Sequence, residues 1–145
     1  MYKKLAIAIS INAVIMFLIT YAMIDKFDHL YLNINRVYMS LMMVAPMVII
    51  MLLVMRSMYE NKKLNYILIA AFSGLFILCF SLARTQTPVG NEQFLRSMIP
   101  HHSSAILMCQ EAEITDLEII ELCEQIVKSQ EEEITQMKAI LARSP

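Results

Sequence analysis

An all-α membrane protein is the fold class this chain predicts, and three observations predict it. The 145 residues are 58% hydrophobic with only 2 Gly and 4 Pro, too apolar for an ordinary soluble domain and too poor in turn formers for a β one. Residues 5–24, 37–55 and 64–83 contain no Asp, Glu, Lys, Arg or His. Each run approaches the roughly 20 residues that carry a helix across about 30 Å of hydrocarbon. Beyond them the pattern changes to charged residues interleaved with apolar ones at helical spacing. The expected architecture is three transmembrane helices followed by an extracytoplasmic antiparallel helical hairpin: a membrane domain over 1–84, a linker over 85–90 and a hairpin domain over 91–145.

Span one (5–24) lies between Lys4 and Asp25, with Asn12 and Thr20 as its only strongly polar interruptions. Lys3 and Lys4 before an apolar run also suit a signal peptide. The run is longer than a usual signal core, however, and no small-x-small cleavage site follows, so it is read as a retained span. Span two (37–55) and its flank hold seven of the 13 methionines: Met39, Met42, Met43, Met47, Met51, Met55 and Met58. The i, i+4 series from Met39 to Met55 makes a sulfur stripe, for which adaptable packing is a simpler role than an ion path. Pro46 is expected to kink this helix. Span three (64–83) carries Asn65, Ser73, Gly74, Cys79 and Ser81, small or polar groups suited to close helix contacts.

Charge divides the chain. Residues 1–84 carry eight Lys/Arg against three Asp/Glu, whereas residues 85–145 carry four against ten, about −6. An acidic tail disfavours nucleic acid and anionic surfaces as partners and concentrates cations. The amino terminus and the 56–63 loop hold five Lys/Arg, and the opposite side holds four diluted by Asp25 and Asp28. That bias predicts a cytoplasmic amino terminus and an extracytoplasmic tail, in a bacterial inner membrane.

Thr85 to Gly90 (T-Q-T-P-V-G) reads as the linker. The first tail helix is expected from an Asn91 N-cap to about Glu113. Pro100 inside it lacks an N–H and frees the carbonyl four residues earlier. Thr115-x-x-Glu118 reads as a capping box opening the second helix, which continues to about Leu141. At about 100° per residue, Phe94, Met98, His101, His102, Ala105, Cys109 and Ala112 share one face. The equivalent stripe of the second helix is Ile119, Cys123, Ile126, Gln130, Glu133/Ile134, Met137 and Leu141. An antiparallel register about the 114–116 turn sets Cys109 by Cys123, His102 by Gln130, Met98 by Glu133 and Phe94 by Met137.

Polar and sulfur groups thus interrupt both apolar stripes at matching heights, which suggests a hydrogen-bonded layer or a metal, because unpaired burial of such groups is costly. Met98 lies one turn before His101 and His102, and Met108 lies seven residues after His101. Thioether with imidazole suits Cu(I) or Ag(I) better than hard cations. Gln130 and Glu133 are natural partners to orient an imidazole. A plain N–H···O network in a helix pair accounts for the same residues. Cys109 and Cys123 fit packing or a disulfide better than a second soft-metal pair.

With these residues in hand, the tail resembles the ferritin-like domain-of-unknown-function 305 family. The resemblance rests on Phe94, Met98-Ile99-Pro100-His101-His102, Ala105-Ile106, Met108, Ile126, Gln130, Glu133-Ile134 and Met137, over about 91–141. Members are helical, and some are linked to copper or silver handling through Met and His. The resemblance implies metal ligands at Met98, His101, His102, Met108 and Met137. Many members contain two such helix pairs, whereas this chain has one, so a homodimer completing a four-helix bundle would cover the exposed apolar face. Ser103-Ser104 replaces a commoner Gln-Gly and leaves the implied ligands untouched.

Two functions therefore stand against each other. One is a multi-pass membrane protein whose extracytoplasmic domain binds Cu(I) or Ag(I) for buffering, delivery or sensing, with another metal-handling protein as the expected partner. The other is a membrane interaction module that dimerises through its tail with a structural His layer. No Glu-x-x-His motif supports a di-iron oxidase, and no nucleophile–base pair or cofactor motif supports another enzyme.

Overall fold

A computed structural model describes residues 1–143, all of its regular elements helical. Ser144 and Pro145, the end of the expected 91–145 domain, lie outside the described residues. The helices are α1 (Tyr2–Ile19), α2 (Ile34–Val54), α3 (Lys62–Thr85), α4 (Asn91–Glu111) and α5 (Leu117–Arg143), with a 3-10 turn at Phe27–His29. Helices α1, α2 and α3 are each long and apolar enough to cross a membrane.

Element ends show where local chemistry departs from the sequence expectation. Helix α1 stops at Ile19 rather than near residue 24. The Thr20 hydroxyl donates back to the Phe17 carbonyl at 2.6 Å, and the Tyr21 hydroxyl donates to the Tyr31 carbonyl at 2.9 Å, tying the following chain into a loop. Asn61 caps α3 by accepting the Leu64 N–H at 3.0 Å. Helix α3 runs through Arg84 and Thr85 into the expected linker, and ends where Gln86 turns left-handed at φ 53°. Gly90, not Asn91, occupies the cap position of α4 and offers no side chain. Helix α5 is capped by Asp116 rather than by Thr115. Its carboxylate accepts the N–H groups of Glu118 at 2.9 Å and Ile119 at 3.3 Å, and its charge complements the helix dipole as a hydroxyl cannot.

The chain forms two compact units. The first comprises Met1–Thr20 and Asn35–Pro88. Its core is Val44, Val48 and Leu52 of α2 with Leu5 and Tyr59, and Met47, Met51 and Met55 pack around it. The methionine stripe is therefore packing material over this part, while Met39 and Met43 are exposed. Tyr2 donates to Asn65 Oδ1 at 2.9 Å, and the Asn65 amide donates to the Tyr59 carbonyl at 2.7 Å, so α1, α3 and the α2–α3 loop are joined at one end.

The second unit combines the α1–α2 loop, Tyr21–Ile34, with the chain from Val89 onward. Helices α4 and α5 pack along one another through Leu95, Ile99 and Ile106 against Ile134 and Met137. The buried face of α4 is Leu95, Ile99, His102, Ser103 and Ile106. It is turned by about one residue from the expected Phe94, Met98, His101, Ala105 face, and Phe94 is exposed. Both stripes are apolar in sequence. Burial of the branched Leu95, Ile99 and Ile106 removes more hydrocarbon from water than the alternative set. Pro100 leaves the Arg96 carbonyl without its helical donor, and the buried Asn33 amide reaches it at 3.3 Å.

Candidate functional site

His102 is 6% exposed and holds two bonds. Its Nδ1 lies 2.9 Å from the Met98 carbonyl one turn earlier, and its Nε2 lies 2.6 Å from Glu133 Oε2 on α5. A backbone carbonyl only accepts, so Nδ1 carries a hydrogen. The His102 contact, seconded by the Ser129 hydroxyl at 3.0 Å on Oε1, holds the Glu133 carboxyl below its ordinary pKa. That lowering favours the ionised form of Glu133, whose Oε2 faces the ring at Nε2. The contact crosses from α4 to α5 and joins the two helices here. His102 meets Glu133, where the sequence placed Gln130. Gln130 is half-buried and makes no side-chain hydrogen bond among the described residues.

The implied ligands distribute over two sides of α4. Met98 and Met137 belong to the cluster around Ile99, Ile106 and Ile134, on the side of His102. His101 is exposed, its ring edge-on to that of His102 with centroids 6.1 Å apart. Met108 is 60% exposed. It lies two helical turns, about 10 Å of rise, beyond His101, so one chain does not bring those two side chains together. Cys109 and Cys123 form a disulfide with Cα atoms 5.3 Å apart, which occupies both thiols near the α4–α5 turn.

One polar cluster escaped the sequence reading. Ser103, fully buried, accepts the Asp25 N–H at 2.7 Å, and its hydroxyl lies 2.9 Å from His29 Nδ1. The other ring nitrogen faces Asp28 Oδ1 at 3.6 Å, and Asp28 is bound by Lys138 of α5 at 2.5 Å. Burial first, then the Lys138 charge, holds the His29 pKa below its ordinary 6.5. The neutral ring accepts the Ser103 hydrogen at Nδ1 and keeps its own hydrogen on Nε2, toward Asp28. Asp28 is in turn held low by the Lys138 hydrogen bond. The order Ser103, His29, Asp28 resembles a nucleophile relay, yet a serine with no exposed surface cannot meet a substrate. The cluster fastens the α1–α2 loop to α4 and α5. A signal for it was present: one span separates the amino terminus from this loop and three separate it from the tail. Both thus lie on the same side of any membrane the spans cross.

For soft-metal chemistry, the donor set fits in part. His101 carries no hydrogen bond among the described residues, and Met98 lies one turn before it. His102 would have to exchange its Glu133 bond for an ion. Among the described residues no group of three His, Cys, Asp or Glu side chains converges, so thioether sulfur would have to complete any coordination.

Residues 80–141 match the family described as Domain of unknown function (DUF305). An uncharacterized protein of Acanthamoeba polyphaga mimivirus is 35% identical over 112 residues, covering 76% of this chain and 72% of the viral one. No solved structure matches the chain.

Proposed function

Given a chain that belongs to the domain of unknown function 305 family, we propose that it is a membrane-anchored protein whose helical tail binds Cu(I) or Ag(I). The ion is cargo to be buffered, delivered or sensed. The tail is an antiparallel helical hairpin, half of a four-helix bundle, held outside the cytoplasm. Met98 and His101 are its primary ligands, with His102 and Met137 beside them and Met108 entering from a second copy of the chain.

The observation that carries this reading is Met98, one turn before two adjacent imidazoles, of which one is held by two hydrogen-bond contacts and the other is exposed with no hydrogen bond among the described residues. Glu133 supports it in a second way. A carboxylate that holds His102 can take up the ring's orientation again when the ion leaves. Ligation requires a neutral imidazole, so affinity falls as pH falls.

A titration of the full-length protein in detergent with Cu(I), Ag(I) and Zn(II) tests the assignment. The expected result is tight binding of the two soft ions, weak binding of Zn(II), and its loss in a His101→Ala/His102→Ala variant. Unchanged Cu(I) affinity in that variant overturns the metal reading.

A second reading has its own observation: both His102 nitrogens are already satisfied, as in a structural hydrogen-bond layer between helices. On that reading the tail is an interaction module. Its melting temperature is indifferent to Cu(I), whereas a cargo that binds the native state raises it.

A further inference from the structure

The first unit contains a cleft of about 680 Å³ where the α2–α3 loop meets the ends of both helices, within the size range of small-molecule sites. Its lining is graded. Arg56 and Lys62 stand at the loop end, and Leu53 and Ile69 stand at the helix end. Ile69 follows Lys62 by seven residues, about 10 Å of helical rise. Neither cation has an ion-pair partner among the described residues. Glu60 also lines the cleft, which leaves one net positive charge there. The amino-terminal end of α3 adds its positive dipole.

We propose that this cleft holds a membrane phospholipid. Arg56 and Lys62 bind the phosphodiester, and the first methylenes of an acyl chain lie against Leu53 and Ile69. The inference rests on the membrane placement proposed above. The occupant follows from the grading: a free anion would use the cationic end and leave the apolar end wet, whereas an amphiphile satisfies both. Tyr66, largely exposed on the cleft wall, has the amphipathic ring that collects at the headgroup level. Cations near span ends also orient membrane proteins, but that role needs no cleft with a hydrocarbon floor between them. The net charge selects an anionic lipid over a zwitterionic one.

The test uses the full-length protein in nanodiscs of phosphatidylcholine doped with phosphatidylglycerol. Lipid retained after detergent exchange is counted by native mass spectrometry. The wild type is expected to retain phosphatidylglycerol, and Arg56→Gln/Lys62→Gln to bind it about 30-fold less well, from the loss of two cations at an anionic headgroup. Arg56→Lys should retain it. Equal retention by the double variant, with helix content unchanged by circular dichroism, overturns the site. So does displacement by inorganic phosphate as effective as by lipid. Release of the wild-type chain from membranes by alkaline carbonate removes the membrane placement and the lipid site with it. A chain that stays in the membrane but fails the retention test loses the lipid site alone.

Discussion

His29 and Ser103 show how much one buried hydrogen bond can decide. Ser103 has a single hydrogen to give, and it goes to a neutral His29 because the Asp25 N–H already occupies one of its lone pairs. Protonating His29 turns its Nδ1 into a donor and orphans the Ser103 hydrogen at a fully buried site, which costs free energy. The groups facing the ring are Lys138 of α5 with Asp25, Lys26 and Asp28 of the loop, and the net effect of burial and charge is to favour the neutral form. A histidine with a lowered folded pKa contributes stability that is complete above about 6.5. That contribution is lost as pH falls through the folded value, because the unfolded chain takes up the proton first. Glu133 acts in the same direction in a lower window. Its lowered pKa contributes stability above the ordinary 4.5 that is lost as pH falls further. The melting temperature of the second unit should therefore drop on acidification from pH 7 to 5, and His29→Gln should flatten that slope. A wild-type melting temperature constant over this range would contradict the arrangement of Ser103 and His29.

At the scale of the elements, the sequence carried more of the fold than of the site. Charge-free runs made α1, α2 and α3 legible because a hydrocarbon-crossing helix needs little more than length and apolar composition. Cys109 and Cys123 came out opposite each other because an antiparallel register near a short turn has few alternatives. Farther from the turn, that register lost accuracy. His102 meets Glu133, three residues beyond Gln130, since that hydrogen bond and the Leu95, Ile99 and Ile106 face jointly set the helix rotation. Periodicity alone cannot choose between two adjacent apolar stripes. Pro100 was legible as a freed carbonyl at Arg96, but not that Asn33 from a distant loop would fill it. The disulfide closes a loop with a sequence separation of 14, for which chain entropy gives about 3 kcal/mol. Cys109→Ser/Cys123→Ser, or reduction of the wild type, should lower the melting temperature of the second unit accordingly. The two treatments should not add, and an unchanged transition on reduction would show that the staple contributes nothing to the fold.

At the scale of the whole molecule, the second unit has more apolar surface than one helix pair can bury. Leu117 is 81% exposed and Leu122 is 53% exposed, and Met108 and Ile119 are exposed in the same region about the α4–α5 turn. A patch of this kind on a soluble surface marks an interaction site. A second helix pair is the simplest cover, because helix pairs become stable domains by stacking apolar stripes into four-helix bundles. On the proposed reading, with Met108 supplied by a second copy, dimerisation and soft-metal binding are linked. The full-length protein in detergent is therefore expected to sediment as a dimer. Leu122→Glu should shift it toward monomer without loss of helix content, since that side chain takes no part in the buried cluster of α4 and α5. Cu(I) should favour the dimer in the wild type, because an ion shared between copies binds only the associated form. A chain that stays monomeric with and without Cu(I) would confine the ion to Met98, His101, His102 and Met137 of one copy and remove Met108 from the ligand set.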